Sequence, residues 1–188
     1  SAVAERLSST KSHELPLLVN VEHPLPDHFT TPKLAALSGS VPVANRTVKV
    51  AAQIKTPLVS LFDAARAAGF DKLYVASGYR TAAEQQQLWD ASSDHSYVQK
   101  PGASEHQTGL AVDLADLKAG AKGLARSPAG QWLADNSYRY GFLLRYPPDK
   151  KAVTGISYEP WHFRYVGRDI AQQCHERGWV LEEYVAAH

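Results

Sequence analysis

The sequence predicts an α+β fold, and two observations support this class. First, short apolar runs that alternate like strands lie among segments with helical spacing, without the regular β-α-β order of a doubly wound sheet. Second, the 188 residues include 44% hydrophobic and 21% charged residues, which is typical of one soluble globular domain with a real core. We therefore expect one domain in which strands and helices are mixed along the chain.

The N-terminal part of the chain differs in character from the rest. Residues 1–14 are polar without periodicity, and we expect them to be a flexible lead-in. Residues 15–188 are expected to form a single domain. Within it, a segment at about 15–45 is expected to be an extended arm, because it carries five prolines between short apolar clusters.

Periodicity and end signals predict the order of the elements. Thr56 and Pro57 are a good helix start and Gly69 a good stop, while Thr81 and Glu84 form a capping box. The predicted helical segments are 48–55 (one turn), 57–68, 82–89, 128–141, 168–177 and a short terminal helix from 181. The predicted strands are 73–76, 110–114, 142–146 and 156–166, the last interrupted at Pro160.

Composition excludes several classes of protein. The net charge of +1 is too small to favour nucleic-acid binding, and no apolar run approaches the roughly 20 residues of a transmembrane helix. The single cysteine, Cys174, excludes an intramolecular disulfide, and its helical spacing with Ile170 indicates a small core residue. We expect a monomer.

Residues 104–113, Ser-Glu-His-Gln-Thr-Gly-Leu-Ala-Val-Asp, carry the first chemical signal. His106 and Asp113 lie on either side of Gly109. The alternation of residues 110–114 predicts a strand with Asp113 opposite the apolar face. A carboxylate in so apolar a run needs a partner, since an unpaired buried charge is very costly. That partner is an arginine, a backbone turn, or a metal ion shared with His106.

Residues 158–165 supply another histidine, His162, and another carboxylate, Glu159, in an aromatic, strand-like setting. Two histidines and one aspartate suit a catalytic zinc, which keeps its fourth position open. Glu159 would then be free to act as a general base. Because Glu159 and His162 are three residues apart, Pro160 must break the pleat for both to reach one metal ion.

Two further stretches precede the metal motif at residues 104–113. Residues 77–80, Ser-Gly-Tyr-Arg, end a predicted strand at Arg80, whose guanidinium is well shaped to bind a carboxylate or an oxyanion. Residues 91–100 are predicted to be a polar loop at the border of a substrate cleft.

Three motifs follow one another along the chain: Ser-Gly-Tyr-Arg at 77–80, Ser-x-His-x-x-Gly-x-x-x-Asp at 104–113 and Glu-Pro-Trp-His at 159–162. In this order they resemble the VanY-type D-alanyl-D-alanine carboxypeptidases, which include the LdcB-like L,D-carboxypeptidases. The resemblance covers residues 17–184, except for the loop at 91–100. It implies zinc ligands at His106, Asp113 and His162. It also implies a catalytic base at Glu159 and a substrate-binding, oxyanion-stabilising arginine at Arg80, with terminal D-alanine held by Gln85 and Ser104.

The resemblance also implies the architecture and the activity. We expect a small antiparallel sheet flanked by helices, with the zinc site in a groove across the sheet. The expected reaction is removal of the C-terminal D-alanine from peptidoglycan stem peptides, on the tetrapeptide rather than the pentapeptide. It would take place outside the cytoplasm, at the cell wall or outer membrane face, although the chain as given shows no signal or anchor segment.

Three alternatives remain open from the residues. A non-haem iron oxygenase also uses two histidines and a carboxylate, but six residues separate His106 from Asp113, and Glu159 would have no role there. A non-catalytic wall-binding module would not need the complete set of ligands and base. A peptidoglycan endopeptidase of related fold would differ only in how the groove is closed.

Overall fold

The computed structural model describes residues 17–188 and has the α+β architecture that the sequence predicts. The predicted lead-in at residues 1–14 lies outside the described part. The described strands are β1 (Leu34–Ala36), β2 (Lys49–Ala51), β3 (Leu73–Ser77), β4 (Ala111–Asp116), β5 (Phe142–Tyr146) and β6 (Glu159–Tyr165). The described α-helices are α1 (Lys55–Ala67), α2 (Ala82–Ala91), α3 (Pro128–Asn136), α4 (Lys151–Thr154), α5 (Arg168–Arg177) and α6 (Leu181–Ala186).

A four-stranded antiparallel sheet positions the chemistry-bearing residues. Its order is β3-β4-β6-β5, so β4 and β6 lie side by side in the middle. The antiparallel arrangement confirms what the family resemblance implied. In this register Asp113 on β4 lies directly opposite His162 on β6. Side chains opposite one another in an antiparallel pair are close enough to interact, so the strand pairing alone brings this carboxylate and imidazole together.

The opposite face of the sheet forms the main core with α1 and α3. The alternation predicted for β4 is confirmed, since Leu110, Val112 and Leu114 are buried in this core. They pack in one cluster with residues of the helices and the other strands, including Leu58, Leu61, Leu133, Phe142 and Phe163. A second cluster lies around α5 and α6, and Cys174 is buried there as a small core residue, as predicted.

The helix ends confirm most of the predicted end signals. Thr81 caps α2 in a reciprocal capping box with Glu84, and Ser127 accepts a hydrogen bond from the backbone of Gly130 at the start of α3. The longest described helix, α1, has 13 residues. None of the helices in residues 17–188 is long and apolar enough to cross a membrane.

The predicted helical turn at residues 48–55 is wrong for its first half and correct for its second. Strand β2 occupies Lys49–Ala51 and pairs antiparallel with β1, whereas Ala52–Ile54 form a 3-10 helix that leads into α1. Helix α1 therefore begins at Lys55 with Ile54 at its N-cap, and Thr56 is not the cap. The physical reason is tertiary: the Ala51 amide donates a hydrogen bond to the Gly109 carbonyl (2.9 Å), and this pairing overrides local helical spacing.

Two backbone features bring the motif residues to one place. Gly109 has φ +71°, and a Cβ there would lie 2.8 Å from the Ala51 nitrogen, so only glycine fits this turn. On the other side, the β5–β6 pairing shifts register between Leu144 and Tyr146. The irregular part of β6 contains Pro160, which has no N–H to donate to a ladder. The strand continues through Pro160, but its regular pairing does not.

Candidate metal centre and active site

The three candidate metal ligands come from three separate elements. His106 lies on the 3-10 helix Glu105–Thr108, Asp113 on β4 and His162 on β6. One ligand atom from each of them can be chosen so that all three lie within 4.8 Å of one another. The structure therefore brings together the side chains that the two motifs singled out.

Hydrogen bonds on the far side of each imidazole decide which nitrogen faces the site. His106 Nδ1 lies 2.7 Å from the Gly78 carbonyl oxygen, which can only accept, so Nδ1 carries the proton. His162 Nε2 lies 3.2 Å from Glu105 Oε2 and donates to that carboxylate. The nitrogens that face inward, Nε2 of His106 and Nδ1 of His162, are therefore left with lone pairs when each ring is neutral.

The inward nitrogens converge on Asp113. Its Oδ1 lies 3.2 Å from His106 Nε2 and 3.3 Å from His162 Nδ1, and it is buried without a hydrogen-bond partner. Three acceptor atoms that face one another repel unless a cation lies between them. Tetrahedral zinc, with bonds of about 2.0–2.1 Å, places its ligand atoms about 3.3 Å apart. The donor set and the two distances to Asp113 Oδ1 fit such an ion.

The pKa shifts of the site residues also indicate that a positive charge is favoured among them. Burial lowers the pKa of His162, but the neighbouring carboxylates of Asp113 and Glu105 outweigh this and raise the pKa to about 9. Burial and the nearby Arg80 lower the pKa of His106. Burial raises the pKa of Asp113, but the two histidines hold it well below its usual range. The raised pKa of His162 means that the two neighbouring carboxylates favour a positive charge between them.

Sequence reasoning missed the partner of His162. Glu105 is fully buried and accepts hydrogen bonds from Arg145 Nε (2.8 Å) and Arg164 Nη1 (3.0 Å) through the same oxygen, Oε1. Its other oxygen faces His162. Glu105 itself gave no signal, because it lies in a polar stretch. Arg145 did give a signal in the sequence, because an arginine within the apolar run 142–146 requires a buried counter-charge.

Glu159 lies beside the ligand set and contributes the spare carboxylate. Its Oε2 is 3.6 Å from His162 Nδ1, so the irregular pairing of β6 lets both side chains reach one site. Glu159 is buried, and burial raises its pKa to about 8. The negative charge of Asp113 adds to this effect, whereas His162 and Arg80 oppose it. A carboxylate with this pKa can exchange a proton near neutral pH.

Arg80 and Gln85 form one unit. Arg80 Nη1 donates to Gln85 Oε1 (2.7 Å), and its Nη2 donates to Asp113 Oδ2 (3.3 Å). Gln85 is 1% exposed and donates through Nε2 to the carbonyl oxygen of Gln99 (2.5 Å). The proximity predicted for these residues is correct. The structure adds that Gln85 joins Arg80 to the loop before the metal motif.

That loop, residues 91–100, crosses one side of the site. The Ser157 amide donates to the Ser96 carbonyl (2.9 Å), which fixes the loop beside β6. His95 stacks on Trp89 with ring centroids 3.5 Å apart and does not line the cavity at the metal ligands. The prediction that the loop borders a cleft therefore holds for its second half.

A cavity of about 200 Å³ contains all of these groups. Ser104 is 3% exposed and lines it, together with the exposed rim residues Leu88 and Tyr97. The other lining residues are Arg80, Gln85, Val98, Gln99, Glu105, His106, Asp113, Tyr146, Ile156, Glu159, Trp161 and His162. The candidate ligands, base and substrate-binding side chains thus share one cavity.

This fold and this site define a family. The family model described as VanY, D-alanyl-D-alanine carboxypeptidase, matches residues 47–168. The chain therefore belongs to the VanY family, as the three motifs indicated. It is 39% identical over 187 residues to a D-alanyl-D-alanine carboxypeptidase of Enterococcus faecalis. That similarity covers 90% of this chain but 65% of the relative, so the chain spans less than two thirds of that protein.

Two solved structures are similar to this one. One is the vancomycin-resistance D,D-pentapeptidase VanY from the VanB-type cassette, solved as a mutant in complex with Zn(II). It has a TM-score of 0.75 and 39% identity, over 89% of this chain and 97% of that chain. The other is the LD-carboxypeptidase LdcB, with a TM-score of 0.82 and 32% identity, over 91% of this chain and 86% of that chain.

The proton on His162 leads to a prediction about metal affinity. The pKa of about 9 means that Zn²⁺ must displace this proton throughout pH 6–8, whereas the lowered pKa values of His106 and Asp113 leave those ligands unprotonated. Zn²⁺ binding to the metal-free protein should therefore weaken at least about tenfold for each unit of falling pH, and more steeply where Glu159 also loses its proton. Competition with a chelator of known protonation constants measures this, and a pH-independent affinity would contradict it.

Proposed function

We propose that this chain is a zinc-dependent carboxypeptidase that removes the C-terminal D-alanine from peptidoglycan stem peptides. The observation that carries the proposal is the convergence of two imidazole nitrogens on the partnerless Oδ1 of Asp113, with the spare carboxylate of Glu159 beside them. Two histidines, one carboxylate and an adjacent base are the donor set of a hydrolytic zinc site.

The zinc ion would be held by His106 Nε2, Asp113 Oδ1 and His162 Nδ1. When bound, zinc polarises the scissile carbonyl and activates a water molecule for attack near neutral pH. The hydrogen bonds to Gly78 and Glu105 would keep the two imidazoles in the tautomers that this binding needs. The fit of the donor set supports zinc over hard cations such as Mg²⁺, which prefer oxygen ligands.

Glu159 would act as the general base. It would take a proton from the attacking water and pass it to the leaving amine as the peptide bond breaks. Its burial supports this role, because a raised pKa makes the carboxylate a stronger base, while a neighbouring cation keeps enough of it ionised at neutral pH. Arg80 would stabilise negative charge that develops on the scissile carbonyl oxygen.

The terminal carboxylate of the substrate would bind to Arg80, Gln85 and Ser104. The guanidinium matches a carboxylate in shape and charge, and Gln85 Nε2 has a second hydrogen besides the one donated to Gln99. The contact with Gln99 also ties the loop to this wall of the cavity. A cationic group that can bind a free terminal carboxylate favours a carboxypeptidase over an endopeptidase, which needs room for chain on both sides of the bond.

We propose the tetrapeptide, cut between an L-configured centre and D-alanine, as the preferred substrate. The motif residues around Gln85 and 158–165 resemble the LdcB-like members more closely, and the TM-score to the LD-carboxypeptidase LdcB is 0.82. The greater sequence identity to VanY, 39%, makes the pentapeptide the second candidate. We expect a monomer that acts outside the cytoplasm, at the cell wall or outer membrane face, where peptidoglycan lies.

The role of Glu159 is tested by Glu159→Gln, which keeps the shape of the side chain but cannot accept the proton. Turnover should fall by about 10²–10⁴-fold, whereas the zinc content should stay near one equivalent. Steady-state kinetics and elemental analysis on the same preparation measure both. Glu176→Gln, at an exposed position of α5, serves as a control with the same change of charge. Activity of Glu159→Gln within a few-fold of wild type would assign the proton transfer to another group.

The substrate proposal is tested with stem peptides of different lengths. The tetrapeptide should lose one D-alanine faster than the pentapeptide, as measured by mass spectrometry of the products. Amidation of the C-terminus removes the charge that Arg80 would bind and should lower kcat/KM roughly 10- to 150-fold, or about 1.5–3 kcal/mol. Faster cleavage of the pentapeptide would reverse the preference. Cleavage inside a longer stem would indicate an endopeptidase, and cleavage of no peptide would leave the wall-binding module.

A further inference from the structure

A chain of buried charges extends from the candidate metal ligand His162 to the C-terminal helix. It begins with Glu105, which accepts from His162 through Oε2 and from Arg145 and Arg164 through Oε1. Arg145 then donates from Nη1 and Nη2 to both carboxylate oxygens of Glu182 on α6, at 2.8 and 2.7 Å. The side chains of Glu105 and Arg145 are fully buried, so water screens the interaction between their charges very little.

The arrangement at Glu105 keeps one of its oxygens free for His162. Both arginines bind Oε1, which leaves Oε2 as an acceptor aimed at the imidazole. An acceptor at this place requires the proton on Nε2, so in the neutral ring the lone pair is on Nδ1, facing Asp113. Without Glu105 the two tautomers of His162 would compete, and one of them puts a proton where the metal ion would bind.

Glu182 holds Arg145 in the position from which it donates to Glu105. Two arginines converge on the single carboxylate of Glu105, and Glu182 supplies a second negative charge to Arg145. Asn20 also donates to Glu182, at 3.2 Å. Both Asn20 and Glu182 lie outside residues 47–168, the part that the VanY family model matches. The support of the site thus reaches beyond that part of the chain.

We propose that Glu105 is a positioning residue that fixes the orientation and tautomer of His162 directly, that Glu182 supports it through Arg145, and that both thereby set the metal affinity of the site. The proposal rests on the proposed function, because it takes His162 as a metal ligand. Neither glutamate takes part in the reaction itself. The C-terminal helix α6 therefore contributes to the metal centre without touching it.

Zinc dissociation constants, measured by chelator competition, test the proposal. Glu105→Ala should weaken zinc binding about 10- to 100-fold, the usual effect of removing the partner of a ligating histidine. Glu182→Gln, one step further away, should weaken it about 3- to 30-fold. Glu183→Gln is the matched control, since Glu183 is the next residue on α6 and pairs with Lys150 instead. The control should bind zinc as wild type does.

A second readout separates positioning from general loss of stability. Nitrogen-15 spectra of the histidine rings in the metal-free protein at high pH, where the rings are neutral, should show His162 with its proton on Nε2. The Glu105→Ala spectrum should show a mixture of tautomers. If Glu105→Ala does not fold, Glu105→Gln keeps the volume and an acceptor oxygen and should retain part of the zinc affinity.

Three results would overturn the proposal or its basis in distinguishable ways. If folded Glu105 variants keep the wild-type zinc affinity and the wild-type tautomer of His162, Glu105 does not position His162. Equal affinities of Glu182→Gln and Glu183→Gln would remove the role of α6. In both cases loss of zinc in His162→Ala would leave the proposed metal centre intact, whereas full zinc content in His162→Ala would remove the metal centre itself.

Discussion

The site depends on the mutual repulsion of three buried acceptor atoms, which a cation between them would relieve. Asp113 Oδ1 lies 3.2 Å from His106 Nε2 and 3.3 Å from His162 Nδ1, and it has no hydrogen-bond partner. Such a cluster of acceptors is unfavourable in a buried place unless a cation occupies the centre. The raised pKa of His162 has the same cause, because a proton on this ring also places a positive charge beside the carboxylates. A fold that keeps this arrangement is built to bind a positive ion there.

The rest of the structure holds these three atoms against their repulsion. The pairing of β4 with β6 sets Asp113 opposite His162, and the Gly109 turn returns the chain so that His106 meets them. Behind the imidazoles, the Gly78 carbonyl and Glu105 fix the outer protons. The charge of Glu105 is in turn compensated by buried arginines, because a lone buried carboxylate would be unstable. The metal centre is thus the innermost part of a network that runs through the sheet.

Sequence reasoning predicted those features that depend on local patterns. The alternation of 110–114 predicted β4 and its buried face, and the Ser-Gly-Tyr-Arg, Ser-x-His and Glu-Pro-Trp-His motifs predicted the family. It failed where long-range contacts decide: β2 forms because Val50 pairs with Ala35 of β1, not because of its local sequence. The Glu105–Arg145 pair spans 40 residues, so only the unexplained arginine in an apolar strand pointed to it. The metal ligands and their roles remain predictions until an ion is observed.

Crystallographic data collected above and below the zinc absorption edge, on protein purified without added metal, would show whether zinc lies among these three side chains. We expect one anomalous peak about 2.0–2.2 Å from His106 Nε2, Asp113 Oδ1 and His162 Nδ1, and the signal should vanish below the edge. The His162 ring should still donate from Nε2 to Glu105. An anomalous peak bound through other atoms, or a site with no zinc in which His162 bridges Asp113 and Glu105 as a cation, would contradict it.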